Sequence, residues 1–192
     1  MAAFILTEGA LPMAIMERLV KSHPTLRDQD VRMRKDSGNI AVRAREHFFV
    51  GGDPVALVSG AETVNEDHVA QQVATRREFL LHRTYWAKFL VLMVPPEVEA
   101  LLFFDESVMR DVLPQPVSVE DRVRGRYESR KVLKELFARA GEQPFPDALI
   151  QRLAHADLSP LWRLELLKPL EQFLLEVCLG QRQSTSSSLP AP

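Results

Sequence analysis

The chain has 192 residues, 46% of them hydrophobic, and a formal charge of only −2, so it can bury a core and carries no overall field to draw it onto nucleic acid or anionic lipid. Its single cysteine, Cys178, excludes an internal disulfide, and its N-terminus lacks the charged, apolar and small-residue regions of a secretory signal. The longest uninterrupted apolar run, Phe89 to Val94, is far too short to cross a bilayer, and a cytoplasmic protein is expected.

Leu11, Ile15 and Leu19 recur at helical spacing with Pro12 in a first turn that tolerates it, which predicts a helix ending near His23-Pro24. From Asp30 the period changes. Val31 and Met33 alternate with Arg32 and Arg34, Gly38 punctuates, and Ile40, Val42 and Ala44 alternate with Ala41, Arg43 and Arg45, which is strand periodicity. Gly51-Gly52-Asp53-Pro54 supplies a tight connection, and Val55 to Val58 resumes an apolar run. Residues 31–64 are therefore expected to form a small antiparallel sheet. Asn65 can cap a helix on which Val69, Val73, Arg76 and Leu80 are aligned, and which extends toward Met93 unless Phe89 to Val94 is a buried strand. Pro95-Pro96 ends it in either case. Residues 97–113 offer another short helix or strand, and Pro114 and Pro116 mark a domain boundary.

Ser118 and Asp121 form a variant capping box opening a helix that runs to Gly141, and residues 147–156 make a second helix. Ser159-Pro160 combines a cap with a first-turn proline, and Pro169 kinks or restarts the helix. Leu170, Phe173, Leu174, Val177 and Cys178 then follow one helical stripe, closed by Gly180. The expected organisation is an α+β fold: an α+β domain over 1–114 with its antiparallel sheet in the N-terminal half, a helical module over 118–180, and a Ser-rich disordered tail over 181–192.

Signatures of catalysis are missing from the pattern. Apart from Gly51-Gly52 the eight glycines are scattered, with no phosphate loop, dinucleotide fingerprint or Gly-x-Ser-x-Gly elbow. The five histidines show neither His-x-x-x-His nor Cys-x-x-Cys spacing, so no metal and no cofactor are expected. Cys178 lies on an apolar stripe, where a thiol behaves as a small hydrophobe, and no catalytic residue is assigned.

Three constellations remain. On a strand that also carries Glu46, Arg43 and Arg45 would share one face at period two, so the two guanidiniums could clamp the carboxylate of a small organic anion. Arg43-x-Arg45 followed by Gly52-Asp53-Pro54-Val55-Ala56 resembles the strand-turn-strand signature of chorismate lyases and the related UTRA effector-binding domains. The opening Leu6-Thr7-Glu8-Gly9-Ala10 is similar to the start of chorismate lyases. The resemblance implies an antiparallel sheet with a buried pocket in which arginine binds a ligand carboxylate. The chain departs from that pattern in showing no later strand with the acidic residue expected of a chorismate lyase. The second constellation is Arg76-Arg77-Glu78 with His82 and Arg83, where His82 lies four residues from Glu78; helix-surface ion pairing accounts for this spacing.

The third is a row of arginines. Arg122, Arg126 and Arg130 stand four residues apart, and the last two lie seven residues before Leu133 and Phe137, which on one continuous helix places guanidiniums on the stripe that should be buried. Either the helix breaks at Gly125 or the charges face an acidic partner, a phosphate or nucleic acid. Aromatic interleaving is confined to Tyr127, which makes nucleic-acid binding the weakest of these readings. Further on, Leu161 and Trp162, with Leu164, Leu166 and Leu167, carry more apolar surface than one stripe hides. They suit a docking face for another protein or a second copy, or internal packing onto residues 89–104. The function expected from the sequence is that of a non-catalytic accessory or adaptor protein acting through its helical C-terminal half. A small organic-anion binder or lyase using Arg43 and Arg45 is the alternative.

Overall fold

Three apolar runs, in residues 3–6, 55–58 and 90–94, are each continuous rather than alternating, which is the pattern of strands buried on both faces. The structure, a computed structural model describing residues 2–36, 40–81, 88–142 and 144–185, places them as strands of one sheet. In chain order it contains β1 (Ala3–Glu8), α1 (Ala10–Lys21), β2 (Val31–Asp36), α2 (Ile40–Gly51), β3 (Val55–Gly60), α3 (Glu66–Leu81) and β4 (Phe89–Val94). The strand order is β2-β1-β3-β4 and every pairing is parallel, with Phe4 opposite Val55 and Val55 opposite Phe89.

This overturns the antiparallel sheet expected over residues 31–64. Parallel strands need long crossovers, and residues 40–51 supply one as a helix. The residues read as an alternating strand decide the matter themselves: Ile40, Ala41 and Ala44 are buried, a helical i, i+1, i+4 face, whereas Val42 is 44% exposed. A strand would have buried Val42 with Ile40 and Ala44. The fold is thus α/β. β2 is the exception among the strands: at the sheet edge it alternates half-buried and exposed residues, and Arg32, Arg34 and Lys35 guard that edge with charge.

Both sheet faces are covered. Phe4, Leu6, Val55, Leu57, Val91 and Met93 pack with Ile40, Ala44 and Leu80 of α2 and α3. The opposite face, through Ile5, Ala56, Val58, Leu92 and Val94, packs against α1 and the remainder of the chain. That remainder comprises a 3-10 turn at Val98–Phe103, then α4 (Glu106–Val112), α5 (Val119–Gly125), α6 (Ser129–Arg139), α7 (Asp147–Leu153) and α8 (Lys168–Thr185). The boundary expected at Pro114 and Pro116 falls between α4 and α5, and residues on both sides of it share one core. α8 does not close at Gly180 but runs on to Thr185, so the first five residues of the expected disordered tail are helical; the side chains of 181–185 and the whole of 186–192 lie outside the described residues.

Several local expectations are met. Asn65 Oδ1 accepts the His68 amide at 3.1 Å, Ser118 Oγ accepts the Asp121 amide at 3.0 Å, and α8 buries Leu170, Leu174 and Val177. Asp121 is held below the usual carboxylate range, chiefly by a hydrogen bond from Arg139. The long helix expected to reach Gly141 instead stops at Gly125 and resumes at Ser129. The residue before the break has no room for a side chain. Gly125 lies against the ring of fully buried Phe103, and a methyl group built on it would overlap that ring.

Gly125→Ala should therefore destabilise the fold by about 3 kcal/mol through overpacking, read as a lower urea midpoint with an unchanged slope. A midpoint equal to wild type would show that Phe103 moves aside without cost.

Candidate functional site

In open parallel sheets the ligand crevice lies beyond the carboxyl ends of the strands, where successive connections leave in opposite directions. Here that point falls between β1 and β3, because the chain passes from β1 to β2 on one side and β3 lies on the other. Glu8 ends β1 there, with Gly9 leading into α1, and Ser59 and Gly60 end β3. The ladder continues past the strands: the Ala61 amide bonds the Val94 carbonyl at 3.0 Å and the Glu62 amide bonds the Pro96 carbonyl at 2.7 Å. Gly60 is required by this approach, since a Cβ would lie 2.9 Å from the Pro96 oxygen. Glu62 follows in the left-handed region at φ 56°, a conformation a non-glycine residue keeps only where its surroundings over-determine it.

A cavity of about 170 Å³ opens at this edge, lined among others by Glu8, Ser59, Glu62, Glu97, Glu99 and Arg130. Helices α3 and α6 hold Ser59, Glu97 and Glu99 from two sides. Arg76, on the inward stripe of α3, donates to Ser59 Oγ at 2.6 Å and stands 3.7 Å from Glu8. Glu97 Oε2 accepts from Ser129 Oγ at 2.6 Å and from the Arg130 amide at 3.1 Å, so this carboxylate satisfies one open amide in the first turn of α6. Glu99 is 1% exposed, and Arg130 donates to its Oε1 through Nη2 at 2.7 Å and Nε at 3.2 Å. That hydrogen bond raises the Arg130 pKa.

Four carboxylates and one guanidinium give the lining a formal charge of −3, or −2 with Arg76 behind Glu8. The edge therefore repels anions and favours a positively charged group. Among the described residues no three His, Cys, Asp or Glu side chains are grouped so as to hold a metal ion. Just below the edge, Thr7 is fully buried and its hydroxyl has no hydrogen-bond partner among the described residues.

The residues singled out from the sequence are distributed otherwise. Arg43 and Arg45 lie on α2, not on a strand: Arg43 Nε donates to Asp36 at 2.6 Å, and the Arg45 guanidinium sits 4.7 Å from the Phe79 ring centroid. They form no common clamp, and the Glu46 side chain, like His82 and Arg83, lies outside the described residues. Arg122, Arg126 and Arg130 all bond to the segment from Glu99 to Glu106. Arg122 bonds Glu106 at 2.5 Å; Arg126 bonds the Phe103 carbonyl at 3.3 Å and covers the Phe104 ring at 4.8 Å; Arg130 takes Glu99. Leu161 and Trp162 are buried, with the Trp162 indole donating to the Leu19 carbonyl at 3.0 Å and its ring meeting His23 edge-on.

Of the cavity residues the sequence singles out Arg130 as a candidate, and Arg76 behind Glu8 belongs to the second constellation. From the sequence, Glu8 is named only within Leu6-Thr7-Glu8-Gly9-Ala10, and Glu62, Glu97 and Glu99 are not singled out. Their signal was the apolar run ending at Glu8-Gly9 directly before a helix, one of three such runs whose parallel pairing brings their ends together. No family model, curated protein or solved structure matches the chain.

Thr7→Val keeps the shape of the side chain and removes the unpaired hydroxyl. It should leave the fold intact and raise its stability by about 1 kcal/mol in chemical denaturation. A loss of stability would mean that this hydroxyl has a partner in solution.

Proposed function

We propose that the chain is a binding protein for a small ligand bearing an ammonium or guanidinium group, held in the cavity at the carboxyl ends of β1, β3 and β4. The observation that carries this reading is the set of four carboxylates converging at the sheet's topological switch point. Glu99 and Glu97 are already engaged by Arg130 and Ser129 and shape the wall. Glu8 and Glu62 are the carboxylates with solvent-facing surface, and they are the partners offered to a ligand cation. The small volume suits a ligand of amino-acid or diamine size, below that of typical drug-sized sites.

A thermal-shift screen of lysine, arginine, putrescine and ethylenediamine, with Mg²⁺, malonate and phosphate beside them, tests this. At least one amine should raise the melting temperature in a dose-dependent way, corresponding to about 2.7 kcal/mol at a hundredfold excess over Kd. Glu8→Gln should remove the shift. Stabilisation by the anions alone, or by no amine, would overturn the reading, and stabilisation by Mg²⁺ alone would replace the organic cation with a hydrated metal ion.

The accessory-protein reading has one observation of its own. Leu161 and Trp162 are inside, but Val119, Val123 and Tyr127 stand four residues apart and are 81%, 52% and 60% exposed. That stripe on and just beyond α5 offers a face to a protein partner or a second copy. If it mediates self-association, light scattering should show an oligomer that Val123→Asp returns to monomer.

A further inference from the structure

A second cavity, of about 630 Å³, lies between α4, the linker after it and α5. Its apolar wall is Met109 from α4, Leu113 just after it, Pro116 and Val117 from the linker, and Val119 from the first turn of α5. Met109 and Leu113 are anchored in the main core, so this wall is fixed, whereas Val119 stands 81% exposed at the rim. The rim charge is positive. Arg110, Arg122 and Arg152 line the cavity against one carboxylate, Glu106, a balance of +2. Two of the guanidiniums are occupied: Arg122 by Glu106 at 2.5 Å, and Arg152 by a two-point grip on Glu142 at 2.8 and 2.5 Å. Arg110 is exposed and makes no hydrogen bond or ion pair among the described residues.

We infer that this groove binds an amphipathic organic carboxylate, an aliphatic or aryl chain ending in a carboxyl group. Its apolar body lies on Met109, Leu113 and Val119, and its carboxylate meets Arg110. The volume falls within the range of small-ligand sites, and such sites combine an apolar lining with a few placed polar groups. Guanidinium is the side chain whose fork matches a carboxylate. Arg122 already shows the same preference by holding Glu106, a side chain 72% exposed and hence displaceable by a ligand. A nucleotide or sugar would leave its polar edges against the five apolar residues. This groove and the acidic cavity take ligands of opposite charge, so the two are tested separately.

The experiment uses the full chain and octanoate, below its micelle concentration, followed by ligand-observed NMR and thermal shift. Acetate and octanamide serve as probes lacking the chain and the charge. Octanoate should bind and raise the melting temperature, while acetate and octanamide bind at least about tenfold more weakly. Arg110→Gln should weaken octanoate by about tenfold and Val119→Ser by a smaller factor; both side chains are solvent-facing, and circular dichroism confirms that the variants remain folded. The proposal is overturned if octanoate does not bind at millimolar concentration, if octanamide binds as well, or if Arg110→Gln binds octanoate like wild type.

Discussion

Arg130 meets the buried carboxylate of Glu99, and the arrangement beyond the sheet depends on that pair. A carboxylate at 1% exposure is tolerable only when its charge is matched and its oxygens are bonded, so removing Arg130 would strand it. The pair does not stand alone. Arg126 holds the Phe103 carbonyl and Phe104 ring, and Arg122 holds Glu106, so three arginines spaced along residues 122–130 grip 99–106 in antiparallel order. This seam draws the chain after β4 back across the sheet edge. It also sets Glu97 at the start of α6, and with it one wall of the acidic cavity.

The second constraint is the sheet itself. Parallel strands are buried on both faces, and α1 by itself covers only part of one of them. The C-terminal half completes that cover and is locked to α1 by polar contacts: Arg18 to the Ala156 carbonyl, Ser22 to the Leu158 amide, Trp162 to the Leu19 carbonyl, and His23 to Glu171 at 3.1 Å. The apolar surplus around Leu161 and Trp162 is consumed here. The sequence did not single out the Val119, Val123 and Tyr127 stripe, on and just beyond the seven-residue α5, yet that stripe faces solvent.

The two cavities have opposite chemistry for a reason in the topology. One gathers strand ends, where β1, β3 and the chain after β4 deliver Glu8, Glu62, Glu97 and Glu99. The other lies between short helices joined by a proline-rich linker, whose apolar residues are only partly covered and whose rim carries arginines. A chain with a formal charge of −2 thus holds locally acidic and locally basic sites that its net charge conceals.

Much of the local structure is legible in the sequence because local chemistry decides it. The Asn65 and Ser118 caps, the α1 and α8 stripes, and the stop at Pro95-Pro96 depend on residues within a few positions of one another. Val55 to Val58 reads as a strand for the same reason. What the tertiary structure alone decided is which strands pair and in which direction, since apolar runs suit either sense. Residues 40–45 show the limit: Ile40 and Ala44 fit period two and period 3.6 alike, and only burial of Ala41 with exposure of Val42 separates helix from strand. The arginine row shows it again. Spacing leaves open a helix break or charges facing a partner; the helix does break after Gly125, which packs on Phe103, 22 positions earlier in the chain, and Arg130 and Arg122 meet Glu99 and Glu106 from that same distant segment.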